Sequence, residues 1–210
     1  MTEYFKADMA KLSYSEAWRW GGFARVITIA ILKLTGVKRY GPQLIPATPA
    51  IMRLDPVAIP KDDRHVIDSA LKDLSLLGFE VLWYYTNPKL KGPVKKGGAV
   101  ALHSSGNAMS IIMPETDRSS THAVIAVSTR LISGKYLTTN NAHYTFDPPN
   151  EYSVMRLHGR STTDVVRAHM KRIQETQIQP FSKSEIEQQI LENQRIILEH
   201  NVKRGLYVPA

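Results

Sequence analysis

Apolar positions fall into two periodicities along this chain, and a third stretch obeys neither. Between residues 63 and 77, Val66, Ile67, Ala70, Leu71, Leu74 and Leu77 recur at three- and four-residue intervals, which predicts a helix with one apolar stripe. Asp62 or Asp63 is placed to cap it, and Gly78 to end it. From about 80 to 157 the pattern changes to short runs rich in aromatic and branched residues, as strands prefer. Residues 80–86, 98–103, 108–113, 122–130 and 135–139 read as strands. Residues 143–146 and 152–157 read as one more pair around Asp147-Pro-Pro-Asn150. Turns such as Ser104-Ser-Gly-Asn107 are short, so neighbouring strands should run antiparallel. Helical periodicity then returns over 163–175, behind a Ser161-x-x-Asp164 cap, and over 183–204. Ser182-x-x-Glu185 has capping-box spacing there, with Phe181 set to staple Ile186.

The first 60 residues have a different grammar. A helix over 15–35 would gather Phe23, Ile27, Ala30, Ile31 and Leu34 on one side and Arg19, Gly22, Arg25 and Lys33 on the other. Trp18 and Ile29 blur that division. An interfacial helix needs an apolar face, basic residues for anionic head groups and amphipathic rings at the junction. Trp18, Trp20, Phe23, Arg25 and Lys33 supply those types and are candidate membrane or partner contacts. The alternative is a helix packed on the main domain with its cations solvated. Pro42, Pro46, Pro49, Pro56 and Pro60 then hold the chain extended. Leu44, Ile45, Ile51, Leu54 and Val57 make that stretch too apolar for a free linker, so it reads as a strap.

These elements predict an α+β fold. An antiparallel sheet of five or six strands (about 80–157) packs with helices at about 63–77, 163–175 and 183–204, plus an N-terminal helix at about 15–35. The organisation expected is a helix-and-strap segment over 1–60 and a single α+β domain over 61–210.

Composition narrows the chemistry. A net charge of +8 favours anionic partners, and the lack of cysteine excludes disulfides and thiolate chemistry. The apolar run at 26–32 lies too far from Met1 for a signal peptide, and Arg19, Arg25 and Lys33 interrupt any membrane span. The expected location is cytoplasmic, at most peripheral at a membrane.

No catalytic constellation stands out, and neither a cofactor nor a metal is expected. The histidines lack ligand spacing, and His169 falls on an apolar helical face where a satisfied core imidazole is expected. Thr139, Asn140, Asn141 and His143 form the densest neutral polar cluster and are candidate ligand-binding residues, although the same types also build turns. Lys89, Lys91, Lys95 and Lys96 lie in a basic, glycine-containing loop and are candidate anion-binding residues.

The leading expectation is a non-enzymatic binding or scaffolding module attached to a membrane surface or a partner through its N-terminal helix. One competing reading is a small-molecule enzyme with its polar site at Asn140, Asn141 and His143. The other is nucleic-acid binding through the lysine loop with Arg156, Arg160, Arg167, Lys171 and Arg172. Expected partners are a protein or an anionic membrane surface, with nucleic acid behind them. The last helix, about 30 Å long, offers its end to a second copy in a homodimer.

Overall fold

A computed structural model describes residues 3–91, 97–117, 120–142 and 146–210. Among them are four helices and two sheets, so the fold is α+β. The chain runs β1 (Tyr4–Asp8), α1 (Tyr14–Thr35), β2 (Tyr40–Pro46), β3 (Met52–Leu54), α2 (Lys61–Leu76), β4 (Phe79–Thr86) and β5 (Gly97–His103). It continues through β6 (Met109–Asp117), β7 (Ser120–Arg130), β8 (Tyr136–Asn140), β9 (Tyr152–Arg156), α3 (Thr162–Ile173), α4 (Ile186–Lys203) and β10 (Tyr207–Pro209).

The large sheet has seven strands in the order β3 to β9, where five or six were expected. It is also mixed, because β9 pairs parallel to β8, with Thr138 opposite Val154 and Asn140 opposite Arg156. A parallel neighbour requires a crossover rather than a tight turn. Among the described residues between β8 and β9, Pro148 and Pro149 have no N–H to give to a hairpin ladder. Residues 152–156 thus pair with β8. Phe146 lies in no strand, and residues 143–145 fall outside the described residues.

The second sheet, β10-β1-β2, was not anticipated. It joins the two ends of the chain, with Phe5 opposite Pro209 and Tyr4 opposite Pro46. Its β2 carries Pro42 and Pro46 at a sheet edge, where a missing donor costs no ladder bond.

Three apolar clusters hold the layers together. Ala99, Ala101, Ile112, Ile125 and Val127 meet Ile67, Leu71 and Leu74 of α2 and Val165 and Val166 of α3 on one face of the large sheet. On the opposite face, Tyr85, Val100, Leu102 and Met109 meet Phe181 and Ile186 and Ile190 of α4. The third cluster joins Ala17 and Ile29 of α1 to Leu12, Leu198 and Leu206. Each large apolar side chain fully buried in these clusters contributes about 1.5–3 kcal/mol.

Two helix starts differ from expectation. Helix α4 begins at Ile186 and Glu185 makes no cap bond, because Arg130 takes its carboxylate at 2.7 Å. Helix α2 begins at Lys61, which puts Asp62 and Asp63 in its first turn instead of at the cap. In α1, Gly21 and Gly22 leave helical geometry, and Gly22 takes φ 60° and ψ −151°, a conformation essentially reserved for glycine. The kink turns residues 23–35 relative to 14–20.

Candidate functional site

Successive strand residues point to opposite faces, so β8 divides the polar cluster of the sequence between two environments. Thr139 turns toward α3. There the buried His169 lies 3.1 Å (Nδ1) from the Thr139 hydroxyl and 2.9 Å (Nε2) from that of Thr129. The Thr129 hydroxyl donates to the Asn107 carbonyl at 2.7 Å, so it must accept from His169. The imidazole is therefore protonated on Nε2, and its Nδ1 accepts from Thr139. Burial, and after it the Arg172 guanidinium, lowers the His169 pKa to about 4. This is a neutral core histidine.

Asn141 also works for the fold. Its Oδ1 accepts from Ile125 N at 2.8 Å, and its Nδ2 donates to the carbonyls of Ala123 and Arg160. Thr138 and Asn140 turn the other way, toward α4.

On that side the first half of α4 packs on the sheet, and its second half leaves a cleft of about 440 Å³. The floor is apolar: Met109 and Ile111 of β6, Ala126 of β7 and Val154 of β9. Ile190 and Ile197 form the helical wall. The edge nearest Asn193 is polar and hydrogen-bonded within itself. Tyr152 donates to Asn193 at 2.8 Å, and Gln189 donates to Tyr136 at 2.7 Å. Tyr136 and Tyr152 stack with centroids 5.0 Å apart, and burial raises both phenol pKa values, so both hydroxyls stay protonated.

The other end of the cleft is lined by Asn140 and Arg156. Asn140 is 6% exposed, and its Oδ1 is buried without a hydrogen-bond partner among the described residues. A buried acceptor left unpaired costs about 1–3 kcal/mol. Opposite Asn140 in the β8–β9 register stands Arg156, which also lines the cleft and donates to the Phe146 carbonyl at 3.1 Å. Burial, and after it Arg19, lowers the Arg156 pKa, so this cation is held where water solvates it poorly.

The crossover that closes this end, Phe146–Pro149, is held by a partly buried ionic network centred on Glu16. Glu16 is fully buried and accepts from Asp147 N at 2.7 Å, Ser13 N at 2.7 Å and Arg204 at 2.5 Å. Asp147 accepts from the Ser13 hydroxyl at 2.7 Å and from Arg19 at 2.5 Å. Burial would push the Asp147 carboxyl up, but the Ser13 hydroxyl and Arg19 outweigh it and hold the pKa low. The start of α1, the crossover and the end of α4 are thus tied at one point. Ser13-x-x-Glu16 forms a capping box, so α1 starts at Tyr14 and not at Ser15.

The other candidates are dispersed. Lys91 lies over the Tyr4 ring, and its backbone bonds to Leu44. Lys89 sits in a turn closed by Asn87. Lys95, Lys96 and His143 lie outside the described residues. Arg25 stacks on Trp20 and Lys33 on Tyr14, while Trp18 and Phe23 are exposed on α1. A second cavity, about 580 Å³, lies beneath α1 between Trp20, Ile29, Leu32 and β2. Phe146 lines both cavities.

Arg172, one of the basic residues considered for nucleic acid, donates to the Thr138 and Ser153 carbonyls and so braces β8 and β9. No described helix is long and apolar enough to cross a membrane. The chain has no significant similarity to any family model, curated protein or solved structure.

Proposed function

We propose that this protein is a binding module for an amphiphilic small molecule held in the cleft between the large sheet and α4. The observation that carries this reading is the buried, unpartnered Asn140 Oδ1 beside Arg156 at one end of an apolar cleft. Ligand sites are mostly apolar with a few convergent polar groups that set orientation. Asn140 calls for an N–H or O–H on the ligand, and Arg156 for an acceptor or an anion. The floor of Met109, Ile111 and Val154 suits a hydrocarbon or aromatic body. The volume lies within the range of small-molecule sites. Of the polar site considered for catalysis, Asn140, Asn141 and His143, Asn141 is committed to backbone and His143 lies outside the described residues. Binding is thus favoured over chemistry.

The test exploits the cost of keeping Asn140 polar. Leucine has nearly the same shape, so Asn140→Leu should raise unfolding free energy by about 1–2 kcal/mol, read as a higher urea midpoint at unchanged slope. The same variant should weaken 8-anilinonaphthalene-1-sulfonate by about tenfold. That probe carries an anionic sulfonate, an aniline N–H and apolar rings. Phe23→Ser serves as a control, since it removes exposed apolar surface elsewhere and should leave the probe affinity unchanged. A less stable Asn140→Leu protein that binds the probe like wild type would end the proposal.

A further inference from the structure

We infer that α1 beyond its kink is a docking surface for an anionic phospholipid bilayer, lying in the membrane interface without crossing it. This is independent of the cleft under α4. Phe23, Ile27, Ile31 and Leu34 recur at helical spacing and form one stripe about 17 Å long. All four are exposed, Phe23 at 67% and Leu34 at 87%, while Ile29 on the opposite side is buried in the third core cluster. The helix is thus held to the protein by its inner face, and nothing among the described residues covers its outer face. An apolar side chain this large gains free energy on leaving water, so a row of four is a substantial driving force.

Charge selects the occupant. From Ala17 to Leu54 the chain has six cations, Arg19, Arg25, Lys33, Lys38, Arg39 and Arg53, and no aspartate or glutamate. Arg19 and Arg53 are neutralised by Asp147 and Glu187. Lys33 flanks the stripe, and Lys38 and Arg39 are exposed just beyond its end. A second copy of the chain would bring these like charges together across a two-fold axis, with no anion on the segment to offset them. An anionic bilayer receives them: head groups take the lysines and arginines, and the acyl boundary takes the stripe. Exposed Trp18, before the kink, supplies the ring chemistry favoured at that depth.

The decisive measurement is flotation of the full chain with vesicles. One set is pure phosphatidylcholine, and the other has about a third phosphatidylglycerol. Binding is expected on the anionic vesicles, reduced by raising salt because exposed charges are screened. Phe23→Ser with Leu34→Ser should lower partitioning by roughly tenfold or more at an unchanged melting temperature, since both side chains are exposed. Lys38→Glu with Arg39→Glu should abolish the preference for anionic lipid. Any of three results overturns the inference. One is no flotation of the wild type. Another is equal flotation of the Phe23 and Leu34 variant. The third is a wild-type dimer that the same variant converts to monomer, which would assign the stripe to self-association.

Discussion

Glu16→Ala is expected to destabilise the protein by about 3–5 kcal/mol, the largest effect of any single substitution considered. Glu16 is fully buried and bonds to Ser13 N, Asp147 N and Arg204. Removing one partner of a buried ion pair leaves the other charge in a poorly solvated place, which costs far more than the pair contributes when whole. Alanine also strands two backbone donors and deletes the reciprocal half of the α1 capping box. Glu16→Gln keeps an acceptor and the shape, so its loss should be about half as large. At roughly 2–4 °C per kcal/mol for a chain of this size, the alanine variant should melt about 10 °C lower. Melting within 2 °C or so of wild type would show that the network holds nothing together. The network also sets the position of Phe146–Pro149 at the end of the cleft. Glu16→Gln should therefore weaken the sulfonate probe even where the fold survives, without touching a cleft residue.

The parts of this fold visible in the sequence are those specified within a dozen or so residues. The stripe of Val66 to Leu77 buries one face with local periodicity alone, and the short apolar runs of β5 to β7 mark strands by composition, β5 being buried on both faces. What escaped notice depends on distant pairs. Tyr4–Asp8 is extended because it meets residues 207–209 and 40–46, and nothing in five residues announces partners some 200 positions away. The parallel β9 escaped for a related reason. The Asp147-Pro-Pro-Asn150 signal marks a change of direction but not where the returning strand will pair. The candidate site was half legible. Thr139, Asn140 and Asn141 were recognisable as a polar group, yet strand alternation gives only Asn140 to the cleft. Arg156 drew attention only as a basic residue, because its pairing with Asn140 exists only in the β8–β9 register.

The same alternation gives the protein an acid sensitivity centred on His169. Its Nε2–H donates to Thr129 and its Nδ1 accepts from Thr139 in a site closed to water. A second proton would have to sit on Nδ1, which would deprive the Thr139 hydroxyl of its acceptor and place a charge beside Arg172. Burial lowers the folded pKa from the ordinary imidazole value of 6.5 to about 4. Between those values the unfolded chain binds the proton and the folded one does not. Stability from this group is therefore complete above about pH 6.5 and lost as pH falls from there toward 4. With 1.36 kcal/mol per pKa unit, the loss between pH 7 and 4.5 is about 2 kcal/mol and approaches 3 below that. His169→Gln isolates the effect, since its amide can donate to Thr129 but takes up no proton. The variant should be less stable than wild type at pH 7, because Thr139 loses its acceptor. Its urea midpoint should then fall less steeply on acidification, so that the two proteins converge near pH 4.5. Parallel loss in both proteins across that range would mean that His169 accepts its proton inside the fold without penalty.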